Sequence, residues 1–416
     1  MTHSEGSVAK KYTFVDDAYN LFDQVLARPE PSSITELWAE HLHIRKVMES
    51  VREAQSQLSD TDEKLSGWIR TEEKRQKLLE WAKLVKIELN DVDIVLENDS
   101  ISLKATKDIE INKVIVRVPR SAMLTTDQAR KSTALRKAIE KDHIVEMGNI
   151  SLALHICVHW MNGEGSRWHP YIDALPRTLN CPIFYTVEEL LSLKPSCIFK
   201  EALSFYRVIA RQFTYFLFTI AANGIYDENQ KGRRPKDGRA HEETPIFYNT
   251  PFTINNFTFK LYQWAVGIVT TRVNLIPSSL ISKANGDPEV MPALIPIFDM
   301  ANHDFIESER DSISFCGEED AASITVPKSW KAGEEVKINY GKRTNHDHLL
   351  HNGFVPRGKN PEDTYDLRLG MPKTDKQFAE KMQLVFSEWD GNVTSSNVFI
   401  FGLKDGNLAK FQSIVA

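Results

Sequence analysis

The sequence predicts an α+β fold, with short strands at both ends of a central region and a helical insert between them. Three observations carry this. Residues 94–119, IVLENDSISLKATKDIEINKVIVRVP, alternate apolar and polar side chains between short turns, the period-two pattern of half-buried strands. Residues 126–222 return to helical period. Strand texture then resumes in PALIPIFDM, SISFCG, ASITVP and EEVKINYG.

Taken in chain order, residues 32–58 carry a helix signature. Ser33 followed by Glu36 fits a capping box, and Leu37, Trp38, Leu42, Ile44, Val47, Met48 and Val51 supply an apolar stripe. Residues 59–84, SDTDEKLSGWIRTEEKRQKLLEWAKL, read as a second amphipathic helix behind a polar linker. Phe213 to Ala222 is the longest apolar stretch; it is too short to span a bilayer and reads as a buried helix. Asn223 to Thr250, rich in Gly, Pro, Asn and charge and containing KGRRPKDGR, reads as a surface loop. Residues 365–416 look like the start of a further helical region. The expected division is a helical segment at 1–80, a catalytic region at 85–356 with its helical insert at 126–265, and the C-terminal region at 365–416.

Bulk properties narrow the function. The chain has 416 residues, 42% hydrophobic and 26% charged, with a net charge of −6. No global field therefore favours nucleic acid or an anionic membrane. The opening MTHSEGSVAKKYTF lacks an apolar core, so no secretory signal is expected. Cys157, Cys181, Cys197 and Cys316 match no zinc spacing and make no disulfide framework. The expected home is the cytoplasm, with the nucleus second.

The common catalytic signatures are missing: no G-x-S-x-G, no phosphate loop and no G-x-G-x-x-G. No metal is expected either, because NHDHLLH at residues 345–351 has no further ligand at a suitable spacing. What remains is PIFDMANHD, residues 296–304, an apolar run followed by Asp299, Asn302, His303 and Asp304. With INYGKR downstream and TTRVN upstream, it could supply a small polar pocket.

These fragments carry a family resemblance. FDMANH (298–303) followed by AGEEVKINYG (332–341) resembles the two halves of the SET-domain methyltransferase signature. TRVNLIP, MGNISLALH, RWHPYIDALP and IARQFTYF extend the likeness over residues 35–400. Within the family, the chain is most similar to the group that includes the Rubisco lysine methyltransferases and the actin-histidine N-methyltransferases. The resemblance implies a pseudoknot that threads distant segments together, and S-adenosyl-L-methionine as methyl donor. It assigns Arg272, Asp299, Asn302, His303 and Tyr340 to the cofactor pocket, the Asn-His pair through main-chain groups, with Asn352 and Phe354 of HNGF as a later wall. The family's glycine-rich cofactor loop stands here as ENDSISLKAT, with Asp99, Ser100 and Ile101 in place of an acidic residue and Gly-Phe. An arginine before the helix of Trp81 matches Arg70 or Arg75. In related enzymes a longer helical substrate domain follows, and the resemblance makes residues 365–416 the expected, truncated counterpart of it.

The acceptor can be argued from side-chain chemistry. A lysine must lose a proton against a reference pKa of about 10.4, whereas imidazole, at about 6.5, is already mostly neutral. A histidine methyltransferase therefore needs the right tautomer and approach angle more than a strong base. The resemblance places Asn274 where the lysine enzymes carry Phe, and Phe298 where they carry Ala and the histidine enzyme carries Trp. It makes Tyr340 and Asn274 the catalytic pair, and Asn149, Gln212, Asn274, Phe298 and Arg343 substrate contacts. The implied activity is methylation of a histidine of actin, with no nucleic-acid or membrane partner. The alternatives are a lysine methyltransferase and a weakly catalytic, actin-binding adaptor.

Overall fold

A computed structural model of the chain describes residues 13–97, 100–222, 246–306, 312–364, 366–370, 374, 376–377 and 398–402. Packing rather than capping sets its first long helix, Ile34–Ser56. Leu37, Ile44, Met48 and Val51 of the expected stripe are buried, and Leu42 is 39% exposed. Ser33 occupies the N-cap in extended backbone, but its side chain makes no capping bond. The capping box expected there is corrected accordingly: the helix starts on the Ser33 carbonyl and the buried stripe. Boxes do form at Thr125/Gln128 and Thr186/Glu189.

The single helix expected over 59–84 is two, Thr61–Ser66 and Glu72–Leu84. Gly67 ends the first and Thr71 starts the second, its side chain accepting from the Lys74 N–H at 3.3 Å. Glycine has little helical propensity, and a threonine oxygen satisfies a donor that a helix start leaves open.

After a short β1 (Glu88–Leu89), the alternation at 94–119 corresponds to strands β2 (Val92–Glu97), β3 (Ser100–Ala105) and β4 (Val114–Pro119). The helical insert follows a short β5 (Leu124–Thr125) and runs through Gly148–Asn162 and Cys197–Ala222 to Phe259–Arg272. Phe213, Phe216, Phe247, Phe252, Phe257, Phe259 and Tyr262 are all buried here, with Phe252 and Phe257 only 4.8 Å apart between ring centroids. Each fully buried ring contributes about 2–3 kcal/mol by transfer from water. Of the expected surface loop, 223–245 lies outside the described residues. Its end is not a surface feature: Phe247 and Thr250 are fully buried.

Strand texture returns as β6 (Asn274–Ser282), β7 (Pro288–Leu294), β8 (Asn302–His303), β9 (Ile313–Cys316), β10 (Ala321–Thr325) and β11 (Glu335–Ile338). Three sheets result, ordered β1-β4-β10-β9, β2-β3-β11-β8 and β5-β7-β6. The decisive pairing is parallel: Lys337 opposite Asn302 and Ile338 opposite His303. It brings the two halves of the signature side by side, as a pseudoknot requires.

The chain divides into two compact units, Met1–Gly341 with Leu349–Phe354, and Lys342–His348 with Val355–Ala416. In the second, β12 (Asp366–Gly370) and β13 (Val398–Gly402) pair antiparallel. Within the expected C-terminal helical region, the described residues 366–370 and 398–402 are strand rather than helix. The alternation in DLRLG and the β-branched and aromatic residues of VFIFG favour that outcome.

Candidate functional site

The polar residues of PIFDMANHD do not end a strand. After β7, Ile297 takes φ = +73° and a 3-10 turn spans Phe298–Met300. Left-handed backbone costs a β-branched residue about 1–2 kcal/mol. Full burial of the Ile297 side chain, 0% exposed, offsets it. The turn reverses the chain so that Asp299 points inward while Phe298 packs into the core at 1% exposure.

Asp299 is the electrostatic centre. Its carboxylate is 1% exposed and lies 3.4 Å from Arg272 Nη1, at the last residue of the helix Phe259–Arg272. The same guanidinium donates to the Asp299 main-chain carbonyl, and the Tyr171 hydroxyl donates to Asp299 Oδ2 at 2.7 Å. Burial raises the Asp299 pKa, and Arg272 and Tyr171 oppose that rise. Burial and the adjacent carboxylate push the Tyr171 phenol well above its usual range. Asp299 Oδ1 and Arg272 Nε are buried with no hydrogen-bond partner among the described residues. Buried polar atoms left so are costly, and these two carry hydrogen-bonding capacity that the described residues leave unused.

The parallel pairing of β8 with β11 builds the second side. The Tyr340 N–H donates to His303 Nδ1 at 3.2 Å, and the Tyr340 hydroxyl donates to the Ala301 carbonyl at 2.8 Å. His303 is ringed by Phe305, Tyr340 and Phe354, with centroids 4.8, 5.1 and 6.0 Å away. Asn302 Nδ2 donates to Glu335 Oε1 at 2.6 Å. Asn274, first residue of β6, donates from Nδ2 to the Arg272 carbonyl at 3.2 Å. Asn352 Nδ2 donates to the Thr271 carbonyl at 3.3 Å. Aromatic rings tilted or edge-on to one another, an amide and a buried Arg–Asp pair give the region both apolar and charged groups.

Arg272, Asp299, Asn302, His303, Tyr340, Asn274, Asn352, Phe354 and Phe298 thus gather on the segments flanking one turn. Ile101 lies on β3, in the same sheet as Asn302–His303. Asp99 lies outside the described residues. Asn149 is exposed near the start of the helix Gly148–Asn162. Gln212 accepts from the Tyr262 hydroxyl at 2.8 Å, a bond that ties two helices of the insert. Arg343 belongs to the second unit, where its carbonyl accepts from Asn360 Nδ2 at 2.9 Å. Of the two arginines near Trp81, Arg70 precedes the helix Glu72–Leu84 and donates to the Ala174 carbonyl at 3.2 Å. Arg75 lies within that helix and donates to the Ile94 carbonyl at 2.8 Å. Tyr171 and Phe305 were not anticipated. Tyr171 sits among ordinary helical residues, and only the fold brings it to Asp299.

With this geometry in place, the class is clear. A family model described as SET domain matches residues 101–341, more than half of the chain, and the chain belongs to that family. Among curated relatives, it is 29% identical over 391 residues to the actin-histidine N-methyltransferase of Danio rerio, covering 92% of this chain and 59% of the relative. It is 28% identical over 403 residues to the one of Mus musculus, covering 96% and 61%. The chain spans about three fifths of the length of these relatives. Among solved structures, it resembles the SET domain of LSMT bound to lysine and AdoHcy, with TM-score 0.55, 22% identity and coverage of 80% of this chain and 67% of the other. Rubisco LSMT bound to sinefungin and monomethyllysine gives TM-score 0.56, also at 22% identity, with coverage of 82% and 70%.

Proposed function

We propose that the chain is an S-adenosylmethionine-dependent protein methyltransferase that modifies a histidine side chain of actin. One observation carries this reading: the Tyr340 phenol and the Asn274 carboxamide are both anchored to backbone around a single turn, through Ala301 and through Arg272, which itself holds Asp299. The names of the relatives supply actin as the substrate. The AdoMet-bound Rubisco LSMT neighbour, which shares the fold, supplies the cofactor.

S-adenosylmethionine, when bound, supplies an electrophilic methyl group on a sulfonium. Arg272, Asp299, the main chain at Asn302–His303, Asn352 and Phe354 would hold it. Asn274 directs its Nδ2 to the Arg272 carbonyl, which leaves Oδ1 to accept an N–H from an imidazole. That bond fixes the tautomer and places the lone pair on the far ring nitrogen. Bound there, the cofactor would supply its methyl to that lone pair and keep the sulfur as a neutral thioether, and the methylated ring would then give up its remaining N–H proton and end neutral. Tyr340 walls the approach, its hydroxyl held by the Ala301 carbonyl. Because imidazole is largely neutral at pH 7, positioning rather than deprotonation sets the rate. Four cysteines, none of them in a disulfide, accord with the cytoplasm, and the nucleus second, as the proposed location.

The test is labelled-methyl transfer to intact actin, read by mass spectrometry, with cofactor titration in parallel. Label on a histidine is the expected result. Label on a lysine instead overturns the acceptor, and no cofactor binding overturns the enzyme in favour of a binding module.

A further inference from the structure

The Tyr171 phenol is a buried titratable group that the proposed transfer leaves without a role. It stands on the short helix His169–Ala174 and is fully buried. Trp81 lies nearly parallel to its ring, with centroids 6.3 Å apart and planes at 14°. That indole is itself tied down, its Nε1 donating to the Arg167 carbonyl at 2.7 Å. The phenol ring is thereby held in place, and its hydroxyl reaches Asp299 Oδ2 at 2.7 Å.

The two oxygens of Asp299 have unlike surroundings. Oδ2 receives the Tyr171 hydroxyl and lies 3.4 Å from Arg272 Nη1. Oδ1 has no hydrogen-bond partner among the described residues, and neither has Arg272 Nε. The torsion that turns a carboxylate is broad and roughly two-fold, so the shorter contact at Oδ2 fixes which oxygen stays open. That contact is the phenol. Arg272 Nη1 already donates to the Asp299 main-chain carbonyl, and its reach to the carboxylate is longer than an ordinary hydrogen bond. Electrostatics act in the same direction. Burial raises the Asp299 pKa, and Arg272 and Tyr171 are the charged and titratable side chains that oppose it. Burial and the adjacent carboxylate also keep the proton on the Tyr171 oxygen, so the phenol is the donor.

We propose that Tyr171 is a positioning residue for the cofactor: its hydroxyl turns the Asp299 carboxylate so that Oδ1, together with Arg272 Nε, is left to S-adenosylmethionine as one acceptor and one donor. This rests on the methyltransferase reading above. Tyr171 touches neither the acceptor nor the transferred methyl in that scheme and acts through Asp299.

The experiment titrates S-adenosylhomocysteine into the full chain by calorimetry, from about pH 8.5 to about pH 6. Tyr171→Phe removes the hydroxyl and keeps the ring beside Trp81. It should weaken binding about tenfold near neutral pH, with circular dichroism unchanged. The affinity ratio of wild type to variant should grow as pH falls. With one opposing group gone, Asp299 takes up its proton at higher pH, and affinity that needs the carboxylate is lost earlier. The ligand's own titration cancels in that ratio. Tyr215→Phe breaks a phenol–carboxylate bond elsewhere in the insert, to Asp142 Oδ2 at 2.5 Å, and should leave affinity and its pH dependence unchanged. In the actin assay, Tyr171→Phe should raise KM for S-adenosylmethionine about tenfold and lower kcat by less than about threefold. Should Tyr171→Phe not fold, 3-fluorotyrosine at position 171 decides: the more acidic phenol donates more strongly, so binding tightens and its acid loss moves to lower pH. Wild-type affinity in Tyr171→Phe, a ratio that stays constant with pH, an equal loss in Tyr215→Phe, or unaltered binding with 3-fluorotyrosine would each overturn the proposal while leaving the methyltransferase reading in place. A wild-type chain that binds no S-adenosylhomocysteine overturns both.

Discussion

At the scale of single residues, the candidate site rests on groups whose partners are fixed. On the proposed function, Asn274→Ala removes the acceptor that would select the imidazole tautomer and should cut turnover on actin about a hundredfold. Its own bond is to one carbonyl, so unfolding in urea should shift by about 1 kcal/mol or less. Tyr340→Phe should cost a similar factor in turnover. Asp299→Ala belongs to a different class. It strips Arg272 and Tyr171 of a shared acceptor at a site 1% exposed, and one partner removed from a buried ion pair costs about 3 kcal/mol or more. We expect a loss of that size in urea unfolding together with loss of cofactor binding. The family resemblance named Arg272, Asp299, His303 and Tyr340; the polar run by itself marked only a candidate pocket at Asp299–Asp304. Tyr171 was invisible: nothing in RWHPYIDALP separates a phenol that meets a carboxylate from one that fills a core.

At the scale of elements, two backbone positions hold the site together. Gly353 stands at φ = +79° between Asn352 and Phe354, and a Cβ there would lie 2.7 Å from the Asn180 carbonyl carbon and 2.8 Å from the Cys181 nitrogen. Backbone cannot yield as a flexible side chain can. Gly353→Ala should therefore lose about 2 kcal/mol or more and weaken S-adenosylmethionine binding, since both flanking residues must move. Gly286, at φ = +89° with open space around it, is the control. Gly286→Ala should carry only a backbone cost of about 1 kcal/mol and leave cofactor affinity unchanged. Thermal unfolding and cofactor titration of the pair separate the two effects. The other position, Ile297, shows where sequence patterning fails: PALIPIFDM reads as one strand, yet a left-handed residue breaks it after Leu294. Burial of that side chain, which outweighs its local conformational preference, is a tertiary effect.

At the scale of the whole molecule, three histidines set an acid limit. Burial lowers His41 to about 3 and His159 to about 4, and brings His155 well below its usual value. His159 touches His155 at 2.8 Å and Ser166 at 2.9 Å, so a proton gained there enters a filled network beside Arg167. The unfolded chain binds protons below pH 6.5 that the folded chain refuses. The stability these groups contribute is thus complete above pH 6.5 and is lost as pH falls towards 4 and then 3. His159 alone accounts for about 3 kcal/mol of that loss. Urea unfolding at pH 7.5 and 4.5 should show it, and His159→Gln should flatten the difference. By itself the sequence determined the α+β class, the order of strands and helical insert, and the motif that marks the family, because periodicity and short polar signatures are local. Only the tertiary structure decided that residues 302–303 run parallel to 335–338, that Tyr171 meets Asp299, and that Trp81 stacks against Tyr171. Those contacts join segments far apart in the chain, and no local pattern encodes which distant partner a buried polar group will find.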